Sequence, residues 1–352
     1  MQQPKTVDLF AIQAHMELAD YLTAAAFKAK IFSYGAALQE RRQADHPAIV
    51  VFPEDIGMFL AALGSGNALA GCKTADDAFN VLGRKHLLRI AWALARYRIT
   101  DVKAAFWLAR ANEVRDVMIN TFSSFALEHN AYVVAGSASL PRNKHGLHLR
   151  PFAPAEGKAY NLSYTFGPSG KLLAETAKVN LVPDMEQGVG LSPGRLDDVP
   201  LLDIAGTRFA TAICYDGFRC AHTQNEPGFQ PLIPYFDKHG IEIVAQPSAN
   251  PWPWEEKWVF AREGDTRLRK AQWLEEGAMS LMPQLSKVQY VINPQLIARF
   301  LDLNFDGRSY ILARDSQGPR ILAGAATIDQ GEVVYAPVVP ASPQGQAVGT
   351  AT

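Results

Sequence analysis

The chain has 352 residues, 48% of them hydrophobic and 20% charged, the balance of a folded globular protein with ample length for a large core. With 34 basic against 35 acidic residues and a net charge of −1, no global field points to nucleic acid or to an acidic partner. Three cysteines (Cys72, Cys214 and Cys220) form no disulfide pattern, and the N-terminus lacks a basic segment followed by an apolar one, which together read as a reducing, cytoplasmic setting.

VDLFAIQ at 7–13 reads as a buried strand. A helical pattern over 16–42 follows, with Leu18, Leu22, Ile31 and Leu38 on its inner face. AIVVFP at 48–53 is a β-branched run ended by Pro53, which has no N–H to donate to a ladder. A strand, a helix and a continuous apolar strand predict an α/β sheet covered on at least one face. Residues 55–130 carry mostly helical signals. Thr74 is a candidate N-cap ahead of acidic residues, a basic-aromatic helix is expected over 84–98, and Thr100 is a candidate cap for a long amphipathic pattern over 100–130. The most apolar helical stretch, LLRIAWALARYRI at 87–99, carries Arg89, Arg96 and Arg98 and is too short and too charged to cross a bilayer. A charged outer face on a packed helix is favoured there over a membrane-surface role.

Strand signals return at 131–139, and a hairpin is expected from YNLSYTF through the GPSG turn at 167–170 into KLLAETAKVNLV. PLLDI and TRFATAIC pair about a turn at Ala205 and Gly206. IEIVAQPSA at 241–249 reads as one buried strand leading into a tryptophan-rich loop, PWPWEEKW at 251–258. VQYVINP, GRSYILA and GEVVYAPV supply late strands. No linker divides 1–339, which reads as one domain, while 340–352, rich in Pro, Gly, Ala and Thr, reads as a disordered tail.

Three chemically capable residues lie at or just past the ends of apolar β runs: Glu54 after IVVFP, Lys178 near the end of LLAETAKVNLVP, and Cys214 after FATAI. Open α/β sheets gather such side chains at one rim. A carboxylate could take the thiol proton, the thiolate attack an electrophilic carbon, and the ammonium stabilise the resulting charge; a nearby cation would also favour the thiolate. On residue types alone plainer readings stay open: a small core cysteine, a helix N-terminal acid and an edge-strand lysine. Cys220 is not in a C-x-x-C spacing and reads as a free thiol. His145 and His148 lack a cysteine or carboxylate partner nearby in sequence and read as an exposed loop rather than a zinc site.

VVFPEDIG around Glu54, KVNLVPDME from Lys178 to Glu186, and AICYDGF around Cys214, in that order, resemble the three signature regions of the nitrilase superfamily, thiol-dependent carbon–nitrogen hydrolases. The resemblance runs over 7–338 and takes in Tyr160 and Asn161, QPSAN at 246–250 and GRS at 307–309. It implies an α-β-β-α sandwich, homodimers or larger homo-oligomers, and no metal or organic cofactor. By motif match it implies that Glu54 is general base and then acid, that Lys178 stabilises the tetrahedral intermediate, and that Cys214 forms a thioester which water hydrolyses. Glu186 would position substrate and water, and the backbone N–H of Tyr215 would help hold the oxyanion.

Nitrile-cleaving members carry Trp-Glu after the cysteine. Tyr215 and Asp216 here favour hydrolysis of a linear amide or N-carbamoyl compound, a carbon–nitrogen bond other than a peptide bond. Nitrile hydrolysis and amide-forming acyl transfer are the alternatives. An inactive assembly or partner-binding subunit is a third, disfavoured because Glu54, Lys178 and Cys214 are all present. Asn250 and Trp252 are the candidate pocket contacts. The separation between Glu54 and the VVAGS strand at 133–137 exceeds what the family pattern needs, so 64–105 is expected to be a helical insertion that shapes the pocket.

Overall fold

The first strand, β1 (Val7–Met16), is buried along almost its whole length, so both of its faces need cover, and that demand organises the molecule. The computed structural model describes residues 6–183 and 185–340. The tail expected to be disordered therefore lies, but for Pro340, outside the described residues. β1 runs parallel to β2 (Ala48–Val51), which runs parallel to β3 (Tyr132–Val134). β4 (Ala138–Leu140), β5 (Tyr160–Phe166) and β6 (Leu172–Ala177) extend the same sheet in antiparallel fashion. The chain then starts a second sheet with β7 (Leu201–Ile204), β8 (Thr207–Thr211) and β9 (Ile243–Ala245), and crosses back to the first for β10 (Ser248–Ala249). β11 (Tyr290–Asn293) lies in the second sheet, and β12 (Gln295–Phe300) and β13 (Leu303–Phe305) in the first. β14 (Tyr310–Asp315) and β15 (Gly318–Gly324) complete a six-stranded second sheet, and β16 (Glu332–Val338) pairs with β1 in the ten-stranded first sheet.

The helices before β3 are α1 (Ala24–Phe32), α2 (Gly35–Arg41), α3 (Gly66–Leu69), α4 (Ala75–Lys85), α5 (Leu87–Tyr97) and the long α6 (Val102–Glu128). Those after β8 are α7 (Leu232–Lys238), α8 (Arg269–Glu276) and α9 (Ala278–Leu281). Alternation along the strands sorts the core into layers. Phe10, Ile12 and Val50 pack with Phe27, Phe122 and Phe125 of the first helical layer. Leu9, Ala11 and Val51, one residue out of phase, meet Phe209, Ile243 and Ile292 between the sheets. Ala210 and Val244 face Phe236 and Trp273 of the second helical layer. The result is the α-β-β-α sandwich that the motifs imply.

Several local expectations change. β1 continues to Met16, and the helix expected over 16–42 breaks into a 3-10 turn (Leu18–Tyr21), α1 and α2. The basic helix expected over 84–98 is interrupted at His86, which closes α4 and opens α5. Thr74 caps α4 through a capping box with Asp77, whereas α6 is capped by Asp101 and not by Thr100, because Asp101 Oδ1 accepts from the N–H groups of Lys103 and Ala104. The strand expected over 131–139 splits around Gly136, and that over 241–249 splits at Gln246 and Pro247, where the chain changes sheets. β12, β13 and β15 were not foreseen. Among the described residues no helix is long and apolar enough to cross a membrane, and Cys72, Cys214 and Cys220 are all free thiols.

Candidate active site

Each candidate residue is placed by a local device at a strand end. After β2, the N–H of Phe52 still bonds Val134 O at 2.9 Å, and the chain then turns inward at Pro53 and Glu54. Gly136 allows that turn. It has φ +60°, and a Cβ there would lie 1.9 Å from Pro53 O. Asp55, at φ +57°, is anchored by its N–H to Ser137 Oγ at 2.9 Å. Lys178 follows β6 directly, its N–H bonded to Asn161 O at 2.9 Å. Cys214 opens a 3-10 turn (Cys214–Gly217) just past β8 with φ +47°, in the left-handed region that costs a side chain free energy. The strain is held by Pro247 O, which accepts from Cys214 N–H at 2.8 Å, and by Gln246 Nε2, which donates to Cys214 O at 2.9 Å. Gly217 leaves room for that amide; a Cβ would lie 2.2 Å from Gln246 Nε2.

The tertiary fold joins the three motifs through buried polar atoms. Lys178 Nζ donates to Glu54 Oε1 at 2.7 Å and to Glu186 Oε2 at 2.6 Å. Asn161 Nδ2 bridges the same two carboxylates, at 2.8 Å to each. The remaining Glu54 oxygen accepts from the N–H of Ala249 at 3.0 Å. Cys214 Sγ lies 3.7 Å from Ala249 O. Asp216 accepts from the N–H groups of Val179 (3.2 Å), Asn180 (2.7 Å) and Ile213 (3.3 Å), tying the cysteine turn to the lysine loop. Sequence reasoning did not assign Asn161, Asp216 or the Ala249 N–H as site groups, although all three lie inside the quoted motifs.

Electrostatics set the resting protonation. Glu54, Lys178 and Cys214 are 2%, 1% and 4% exposed. Burial works against the charge of Lys178, but Glu186 and Glu54 outweigh it and hold the ammonium well above its ordinary pKa. Burial pushes Glu54 up, with Lys178 opposing. Burial and then the Glu54 carboxylate push the Cys214 thiol well up, and the lowering by Lys178 does not compensate. The expected favouring of the thiolate by a nearby cation is thus outweighed: burial and the Glu54 carboxylate push the thiol up against the lowering by Lys178 and Arg269. Passing its proton to Glu54 conserves the charge of the cluster. Asp55 is half-buried, and desolvation of its carboxyl, with Glu54 and Glu186 beside it, raises it well above the carboxylate range. Burial lifts Asp216 to about 7 against its N–H donors.

Glu54, Asp55, Lys178, Glu186 and Cys214 form the floor of a cavity of about 450 Å³. As the second residue of a 3-10 turn, Tyr215 has an N–H without a carbonyl of that turn to bond. Its side chain points away, the hydroxyl donating to Glu226 Oε2 at 2.8 Å. Trp252 lines the cavity. Asn250 does not: its amide is used up on Trp252 O and Asp306 O, and its Oδ1 accepts from Arg269 Nε at 2.8 Å. Arg269, unforeseen, does line the cavity; its guanidinium lies 3.9 Å from the Trp258 ring centre and 4.8 Å from that of Trp273. His145 and His148 are exposed, and no group of three or more potential metal ligands occurs among the described residues.

No protein-family model matches the chain. A curated fission-yeast protein (Hydrolase C26A3.11, Schizosaccharomyces pombe) is 35% identical over 101 residues, and the match spans 27% of each protein. Among solved structures, an amidase from Nesterenkonia sp. superposes with a TM-score of 0.56 at 13% identity, covering 96% of this chain and 92% of that one. A form of that amidase carrying the acetamide moiety of fluoroacetamide on its active-site cysteine matches with a TM-score of 0.56 at 13% identity over 96% and 92% of the two chains. A cysteine-to-serine form, described as a nitrilase-superfamily amidase, gives a TM-score of 0.54 at 13% identity over 95% and 91%. The chain has the nitrilase-superfamily fold.

Proposed function

We propose, from that fold and the buried Glu54–Lys178–Cys214 cluster, that the protein is a thiol-dependent hydrolase of linear amides working through a Cys214 acyl-enzyme. The observation that carries the reading is the 2.7 Å bond between Lys178 Nζ and Glu54 Oε1 in the one cavity that Cys214 also lines. As the sulfur attacks the amide carbon, Glu54 takes the thiol proton. The carbonyl oxygen becomes an oxyanion held by the Lys178 ammonium and the Tyr215 N–H. Glu54 then gives its proton to the departing nitrogen, leaving a thioester and a free amine or ammonia. Water enters, Glu54 takes its proton, and the second tetrahedral species collapses to acid and thiolate, which Glu54 reprotonates. Glu186 fixes Lys178 and offers its second carboxylate edge, shared with Asn161, to the water or the leaving nitrogen.

The test is ammonia release from a panel of primary amides, with intact-protein mass spectrometry during turnover. The expected result is turnover together with a transient mass increase equal to the acyl group, located on Cys214. Equal turnover by Cys214→Ala would sink the assignment.

A further inference from the structure

Outside its charged floor the cavity is apolar, and one side of it comes from the helical segment at 64–105 and the residues that directly follow it. Leu69 of α3, Phe79 and Leu82 of α4, and Phe106 and Trp107 at the start of α6 all line it. Phe79 and Phe106 have ring centres 4.7 Å apart, and Phe106 and Trp107 5.1 Å, so they form one continuous aromatic wall. The wall is braced. The N–H of Ala75 bonds Asp302 Oδ1 at 2.7 Å, Trp107 Nε1 donates to Val189 O at 2.8 Å, and Lys103 Nζ donates to Gly188 O at 2.6 Å. Asp76, Lys103, Gly188 and Leu301 also line the cavity but are exposed, which places its mouth among the N-terminal ends of α4 and α6 and the loops carrying Gly188 and Leu301. The aromatic wall lines the same cavity as Cys214.

We infer that the substrate is the primary amide of a hydrophobic acid, an alkanoic or arylalkanoic amide whose acyl chain lies along the wall of Phe79, Phe106 and Trp107. This rests on the hydrolase reading of the same site. A volume of about 450 Å³ is far larger than acetamide needs and lies within the range that holds drug-sized ligands. A small polar amide would leave the wall wetted and uncompensated, whereas an apolar chain removes both surfaces from water. The floor decides which end of the amide goes where. Glu54 and Glu186 present carboxylate oxygens at the reacting centre, and these accept hydrogen bonds. An unsubstituted –CONH2 offers two N–H donors to that floor, and an N-alkyl group would replace one of them with carbon. The acyl part is also the part that stays attached while ammonia leaves and water enters.

The experiment is kcat/KM for acetamide, butanamide, hexanamide, octanamide and 3-phenylpropanamide, beside N-butylacetamide and N-hexylacetamide. Binding of the same amides to Cys214→Ala is measured by calorimetry in parallel. The expected result is a gain of about threefold to fourfold per added acyl methylene, in both kcat/KM and affinity, until the wall is covered. The variant Ala78→Phe, which narrows the chamber, should lose that gain while keeping acetamide turnover. Measurable turnover with no dependence on acyl length, and flat binding, would overturn the inference and leave the hydrolase standing. A gain confined to the N-alkyl series would overturn the placement of the acyl chain. Binding that rises with length without turnover of any amide would keep the apolar chamber and overturn the hydrolase. Neither binding nor turnover would overturn both.

Discussion

At the cavity floor, Lys178 lies between Glu54 and Glu186, and Asn161 ties the same carboxylates together, so these three charges each have a partner within 2.8 Å. At the wall, Phe79, Phe106 and Trp107 meet by ring faces and edges, with Trp107 Nε1 as the one polar anchor of the three. The floor is intolerant because a buried charge that loses its partner keeps the full cost of desolvation. The wall is tolerant because dispersion and hydrophobic burial are non-directional and a lost ring leaves space that a ligand or water can fill. One region is thus built to fix a reaction and the other to fit a substituent. Changes in the floor should alter kcat for every substrate; changes in the wall should alter kcat/KM according to acyl size.

The largest effect expected is at the floor. Cys214→Ala, Glu54→Gln and Lys178→Ala should each lower kcat about 10⁴-fold or more for short and long amides alike, and a double variant should cost little more than a single one. Stopped-flow or endpoint ammonia assays read this, and additive losses in Glu54→Gln/Cys214→Ala would break the idea that the groups act as a unit. Next comes Asn161→Ala. Asn161 acts through the carboxylates it holds, so kcat should fall about tenfold to hundredfold with KM nearly unchanged. A donated N–H favours the ionised carboxylate, so its removal should also move the acid limb of the pH profile upward. An unmoved limb with an equal loss would reduce Asn161 to a structural role.

The pH dependence itself is a smaller, sharper test. Glu54 must be ionised to take the thiol proton, and burial raises its pKa. The acid limb of kcat/KM should therefore lie above the ordinary glutamate value of about 4.3, with activity lost as pH falls through the raised pKa. A limb at or below 4.3 would contradict it. The smallest effect belongs to the wall. Thr74→Ala removes the capping box of α4 and should cost about 1 kcal/mol in thermal unfolding, leaving acetamide kcat untouched and weakening only the longer amides.

The strand-end positions of Glu54, Lys178 and Cys214, the turn at Ala205 and Gly206, the cap at Thr74 and the layered α/β class were all legible in the chain. They depend on residue type and short-range periodicity: β-branched runs, a proline stop, a threonine followed three residues on by aspartate. What was not legible depends on partners far away in sequence. The break of 241–249 between two sheets is imposed by pairing with β11 and β12, and Asn250 serves Arg269 because α8 brings a guanidinium against it. The protonation of Cys214 is of the same kind. No local spacing reveals that two carboxylates share the Lys178 ammonium beside the buried sulfur, and that balance of charge against desolvation exists only once the sheets have closed.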